Sequence, residues 1–309
     1  MAIYFHWTGS SIDLWQSVLQ EMGIESPFYT SDQTFDPAEI EYAIAWAPPA
    51  GQLSRFDNLR YVFSVGAGVT HITEDPTFNP EIPVVRLQDD MLVQDMSGHI
   101  LHWALHFHRH YHRYAQYQRQ KKWLRHGYPE NSERRIAILG LGQTGLDACV
   151  RLRDLGFSVT GWSQSPKTLD GVTCLHGDAA LQTVVSGADI LVNLLPLTPK
   201  TTDLLNKAVF DKMPAGGFVI NCSRGASITD EDLIAALDSG HLEAAALDVF
   251  RTEPLPEDSP YWMRPDVHVT PHAAAPTNEK SAARFILGNI RKVLDGGIPA
   301  PIVDLSRGY

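Results

Sequence analysis

The chain has 309 residues, 44% hydrophobic and 20% charged, the composition of a soluble globular protein long enough for two domains. Its formal net charge of -11 argues against a nucleic-acid or anionic-membrane partner, both of which need local positive potential, but leaves room for a small anionic substrate held by one or two cations. Cys149, Cys174 and Cys222 make no disulfide framework and suit a reducing compartment; MAIYFHWTGS lacks the features of a signal peptide and no apolar run spans a bilayer, so the expected location is the cytoplasm.

In the first hundred residues AIYFHW, YAIAWA, YVFSVGAG and IPVVRL are short apolar strands set between helical or turn-rich stretches. Uninterrupted apolar strands suit a parallel sheet covered on both faces. We therefore expect a smaller α/β domain over 1–98, completed by 285–309. From about 95 to 123 Pro is absent and Gly98 is the only glycine, which predicts one continuous helix joining two domains. Residues 99–114 of it, HILHWALHFHRHYHRY, hold six of the thirteen histidines. His102 and His106 are one turn apart, as are His106 and His110, a spacing open to metal ligation. No cysteine completes a zinc motif, so we expect no metal and read these histidines as half-polar surface or interface residues. An interface built on them would respond to pH near neutrality.

After GYPENSE a second series begins at Arg135: RIAILG, FSVTGW, DILVNLLP, GGFVINCS, AAALDVF and VHVTPH, with helical stretches at 145–155, 201–209 and 230–239. Six strands in alternation with helices predict a doubly wound Rossmann-type nucleotide-binding domain over 99–284. A helix over 277–295 would carry the chain back to the first domain.

Within this series RIAILGLGQTG puts Gly140, Gly142 and Gly145, with Gln143 and Thr144 between them, after a strand and at a helix start. The first glycine allows the tight turn, the second lets backbone approach a pyrophosphate, and the third packs helix on strand. Helix N–H groups would then face the anion. An NAD-preferring site places an acid at the end of the next strand, where VTGWSQSPK offers Ser163, Gln164, Ser165 and Lys167. Hydroxyls and a cation suit a 2′-phosphate, so NADP(H) is the preferred cofactor, with NAD(H) possible.

Arg224 in NCSRGASI, Glu253 in DVFRTEPLP and His272 in VTPHAAA stand at strand ends or in loops, where an open α/β sheet carries its active site. For a 2-oxo acid, a guanidinium would hold the carboxylate and polarise the carbonyl, an imidazole would supply the proton, and a carboxylate would support the charged imidazole. Taken singly, each has a plain reading: a surface arginine, a solvated acid before proline, a structural strand-end histidine.

Taken together, ILGLGQTG, LVNLLPLTPKTTDLLN, FVINCSRGASITDEDLIAALDSGHLEAAALDVFRTEPLP and VHVTPHAAA resemble the D-2-hydroxyacid dehydrogenase family, and WAPP, VFSVGAGVTHI, LPEDSPYWMRPDVHVTPH and the terminal SRGY extend the likeness over most of the chain. The resemblance implies that Arg224 binds the carboxylate and reacting oxygen, His272 is the acid/base, and Glu253 pairs with it. It also implies that the backbone of Ala67, Gly68 and Val69 meets the carboxylate, that Trp46 lines the substrate pocket, and that Asp248 lies near the nicotinamide carboxamide. Pro196, Cys222 and the 140–145 loop would surround the cofactor. A cleft between a flavodoxin-like substrate domain and the nucleotide-binding domain follows, with a homodimer formed through the latter. Small 2-oxo acids, glyoxylate and hydroxypyruvate foremost, are the implied substrates; Trp46 and the YWMRP aromatics leave larger acids such as phenylpyruvate open. A regulatory dinucleotide-sensing protein is the alternative. The family's early glutamate in the interdomain helix is missing from QDMSGHI, which predicts altered packing there, and the missing ribose-binding acid fits an NADPH-preferring branch.

Overall fold

A computed structural model describes residues 1–7 and 12–305, so the terminal SRGY lies outside the described residues. The chain divides into two units, Met1–Leu92 with Thr277–Tyr309, and Val93–Pro276. The bounds expected from sequence, 98 and 285, fall a few residues later in the chain than these.

The first unit begins with β1 (Ala2–His6), α1 (Ile12–Glu21), β2 (Phe28–Thr30), β3 (Ile40–Ala45), β4 (Tyr61–Ser64), α2 (Thr70–Thr73) and β5 (Val84–Val85). Its strands form a parallel sheet in the order β2-β1-β3-β4-β5. This is the flavodoxin-like order, as expected. Strands β1 and β3 are buried on both faces, the burial that their unbroken apolar letters demand. Strand β2 escaped the sequence reading because it is a three-residue edge in a turn-rich stretch.

Helix α3 (Asp90–His108) leads into the second unit, followed by α4 (Tyr111–Arg119), β6 (Arg135–Leu139), α5 (Gln143–Asp154), β7 (Ser158–Ser163), β8 (Thr173–His176), α6 (Asp178–Ser186), β9 (Ile190–Asn193), α7 (Lys207–Phe210), β10 (Gly217–Asn221), α8 (Asp230–Asp238), β11 (Leu242–Leu247) and β12 (Val267–Val269). All pairings in its sheet are parallel, in the order β12-β11-β10-β9-β6-β7-β8. Order reverses between β6 and β9, the doubly wound pattern expected from sequence. Along β6, Ala137 and Leu139 enter one apolar cluster and Ile136 and Ile138 another, so alternate side chains build the cores on the two faces. The chain closes with α9 (Glu279–Leu294), which buries Ala283, Ile286, Leu287 and Ile290 in the first unit together with Trp15 of α1.

Three expectations need correction. The sheet has seven strands, because the half-exposed edge strand β8 carries too little apolar pattern to be seen. The continuous helix over 95–123 is two helices, broken where His110 takes φ 56°. The helix over 201–209 shrinks to α7, since Thr201 and Thr202 donate their hydroxyls back to Pro196 O and Thr198 O while Asn206 caps the amides of Ala208 and Val209. Local side-chain bonds there outcompete the helix. Among the described residues no helix is long and apolar enough to cross a membrane.

Candidate active site

The strand-order reversal puts the loops after β6 and β9 side by side, where an open sheet binds ligands. Gly140 has φ +107°, and a Cβ there would come 2.9 Å from Leu194 O, so only glycine fits this turn. Gly142 caps α5 and is exposed, with nothing within 4 Å of where its Cβ would stand. Gly145 is buried, and its Cβ would fall 1.8 Å from Gly140 O. Open space thus lies against the first turn of α5, beside Gln143 and Thr144, where free N–H groups and the helix dipole favour an anion. This cradle fits a dinucleotide pyrophosphate.

At the end of β7 the half-buried Ser163 donates to Ser165 O at 2.8 Å, while Gln164 and Lys167 are exposed. After β9, Pro196 offers its carbonyl to Thr201. Cys222, directly after β10, is buried; burial and the nearby Asp248 carboxylate push its thiol up, which argues against a nucleophile.

The structure brings Arg224, Glu253 and His272 to the carboxyl ends of β10, β11 and β12. His272 Nδ1 lies 2.8 Å from Glu253 Oε2, and the other carboxylate oxygen accepts the Phe250 N–H at 2.8 Å. Both oxygens are therefore fixed, and His272 Nε2 is the nitrogen left facing away from the pair. Burial pulls the Arg224 guanidinium below its ordinary range while Glu253 pulls it up. Among the described residues its one hydrogen bond is from Nη1 to Ser223 O at 2.7 Å, which leaves the rest of the fork for a ligand.

His272 takes φ 52°, a conformation that costs a non-glycine residue about 1–3 kcal/mol. Asp248 holds it there. Its main-chain oxygen accepts the His272 N–H, and its buried carboxylate accepts from Thr270 Oγ1 at 2.6 Å, Ala273 N at 2.8 Å and Ala274 N at 3.0 Å. Asp248 therefore shapes the histidine turn.

Two residues missed by the sequence reading set the arginine loop. Asn193 and Asn221 end the neighbouring strands β9 and β10, and Asn193 Nδ2 donates to Asn221 Oδ1 at 3.0 Å and Ser227 Oγ at 2.8 Å. Asn221 Nδ2 and Ser227 Oγ in turn donate to Arg224 O. The available signal was an asparagine closing each of two apolar strands, LVN and VIN, where a buried amide needs a partner. Gly225 then lets this loop reach the Glu253 turn, since a Cβ on it would lie 1.8 Å from Phe250 C.

In the first unit, Trp46 follows β3 and packs on His71, ring centroids 4.2 Å apart, and over Gly66. Ala67 is exposed, Gly68 half-buried and Val69 buried, and Ser64 Oγ donates to Gly66 O and Gly68 O to shape their loop.

Residues 101–274 match the family model for the D-isomer specific 2-hydroxyacid dehydrogenase, NAD binding domain. The chain is similar to a glyoxylate/hydroxypyruvate reductase A of Yersinia enterocolitica, 37% identical over 279 residues and 89% of each chain. It is also similar to the solved D-isomer specific 2-hydroxyacid dehydrogenase of Xanthobacter autotrophicus Py2 in complex with NADPH and MES, at TM-score 0.95 and 38% identity over 100% of this chain and 99% of that one. A third likeness is to an NADPH-dependent glyoxylate/hydroxypyruvate reductase of Sinorhizobium meliloti in complex with NADP and sulfate, at TM-score 0.93 and 32% identity over 100% of both chains.

Proposed function

Because this chain belongs to the D-isomer specific 2-hydroxyacid dehydrogenase family, we propose that it reduces small 2-oxo acids to 2-hydroxy acids, glyoxylate and hydroxypyruvate foremost, with NADPH preferred and NADH possible as reductant. The single observation that carries the reading is the His272–Glu253 hydrogen bond at strand ends that also present the Arg224 fork. When bound, the nicotinamide would supply the hydride that the substrate's carbonyl carbon accepts. Arg224 holds the carboxylate and the carbonyl oxygen, so negative charge gathering on that oxygen meets a fixed cation. His272 Nε2 gives the oxygen its proton, and Glu253, tied to Nδ1, keeps the imidazole oriented. The keto acid, one hydride and one proton become the hydroxy acid.

Gly140, Gly142, Gln143, Thr144 and Gly145 would hold the pyrophosphate, and Ser163, Gln164 and Lys167 the adenosine end. Lys167 and the absence of a carboxylate over 163–167 support NADPH. Pro196, Cys222 and Asp248 would flank the nicotinamide, and Trp46 with the Ala67, Gly68 and Val69 backbone would contact the substrate; resemblance supports these roles. It also supports a cytoplasmic homodimer, for which exposed Trp123, Leu124, Trp262 and Met263 of the second unit offer apolar surface.

The test follows nicotinamide absorbance with NADPH and NADH against glyoxylate, hydroxypyruvate and phenylpyruvate. NADPH oxidation fastest with a two- or three-carbon acid is expected. Turnover of phenylpyruvate alone would overturn the substrate assignment, and cofactor binding with no turnover of any acid would favour the regulatory alternative.

A further inference from the structure

The histidines at the corner between α3 and α4 take no part in the reaction above. Helix α3 ends at His108, and the left-handed His110 turns the chain so that His110 and His112 both face Glu243 on β11. His112 Nε2 lies 2.6 Å from Glu243 Oε1, and His110 Nδ1 lies 3.9 Å from the same oxygen, too far for a hydrogen bond. The three side chains each bring a ligand atom within 4.8 Å of the other two. They are shielded, with side-chain exposures of 12%, 2% and 18% for His110, His112 and Glu243. His110 Nδ1 is a buried nitrogen with no hydrogen-bond partner, a costly state for a polar atom that has no use.

We propose that His110, His112 and Glu243 bind one divalent transition-metal ion of the zinc type. Two imidazoles and a carboxylate are a donor set for zinc and its neighbours, and three protein ligands leave a fourth position for water. Metal–ligand bonds of about 2.0–2.2 Å place tetrahedral ligands roughly 3.3–3.5 Å apart, so His110 closes in and His112 backs away by less than about 1 Å each. The protonation states suit a metal. Burial pushes the His110 imidazole down to about 4, leaving a neutral ligand at pH 7. Burial would raise the Glu243 carboxyl, but bonds from His112 and Arg113 outweigh it and hold it at about 2, so it is ionised.

Arg113 is the competitor. Its Nε sits 2.5 Å from Glu243 Oε1, yet its side chain is 37% exposed and can swing into water as an ion arrives. Arg134 is the other cation acting on His110. A surface cavity of about 300 Å³ lies beside His112, lined also by Gln116, Arg119, Trp262, Arg264 and His268. Glu243 is near the amino end of β11, whereas Asp248 follows its carboxyl end, so this site stands at the opposite end of the strands from the proposed catalytic groups. Its role is to tie the α3–α4 corner to the sheet. The spacing argument missed it because His102, His106 and His110 share a face only if the helix runs on.

Untagged full-length protein titrated with Zn²⁺ against a chromophoric chelator tests this. One equivalent should bind, and His110→Ala and Glu243→Gln should each weaken it by at least about tenfold, the scale on which metal sites lose affinity when their shell is disturbed. Arg113→Gln should tighten it by about tenfold, because one opposing charge is gone. Tightening cannot come from misfolding. His272→Ala should leave the affinity unchanged. No saturable binding, equal affinity in the His110 and Arg113 variants, or loss only in the His272 variant would overturn the proposal.

Discussion

A carboxylate whose two oxygens are both engaged cannot rotate away, and this is the condition of Glu253. Glu253→Gln should keep the shape but replace one of the two carboxylate acceptors that fix the imidazole, lowering kcat by about 10²–10⁴ while KM for NADPH stays within a factor of about two; a kcat within a factor of about three of the parent would contradict the role. Gly225→Ala forces a methyl to within 1.8 Å of Phe250 C, so the Arg224 loop and the Glu253 turn must separate. Expected are a drop in kcat of at least about tenfold and a lower melting temperature, since overpacking of backbone costs about 1–3 kcal/mol or more. The proposed chemical groups Arg224, Glu253 and His272 could be read from the sequence only through the motifs that carry the family resemblance, each having a plain reading when taken singly. Asn193, Asn221 and the turn-shaping carboxylate of Asp248 could not, since what they do depends on which strands lie adjacent.

Helix α3 shows where pattern reading fails. An unbroken run of helix-tolerant letters predicts continuation through His110, but the corner is set by long-range contacts of His112 and Arg113 with Glu243, 130 or so positions away. Tertiary bonds override weak local propensity. The corner also carries a pH dependence. Burial pushes His106, His110 and His268 from 6.5 to about 4. His106 faces His102, His112 and His268 across the cluster, and His268 also faces Asp266. Folded-state values below the unfolded ones mean that the unfolded chain binds more protons between about 4 and 6.5. Stability from these neutral imidazoles is complete above 6.5 and lost as pH falls toward about 4. Glu243, held at about 2 against an ordinary 4.5, adds a further loss below that range. The melting temperature of the metal-free protein should therefore fall steadily through the histidine window, and less steeply in His106→Phe. A flat profile there would refute the assignment of neutral half-buried histidines.

At the scale of the molecule, the fold class was legible because both sheets are parallel and their strands are apolar on two faces, so the α/β alternation survives in plain letters. Edge strands β2 and β8 were not, as edges need less apolar surface. Cofactor choice belongs to this scale too, as the proposed contacts come from loops after several strands of the second unit. Lys167→Glu should lower kcat/KM with NADPH by about tenfold and change the value with NADH by less than about twofold, the 2′-phosphate being the group that a new carboxylate repels. Equal losses with both cofactors would place Lys167 outside the phosphate site. The most direct test of the whole account pairs two readings on His272→Ala: NADPH binding by fluorescence and glyoxylate-dependent NADPH oxidation. We predict unchanged binding with turnover reduced by about 10²–10⁴. Turnover close to that of the parent, with binding intact, would contradict the claim that this histidine supplies the proton.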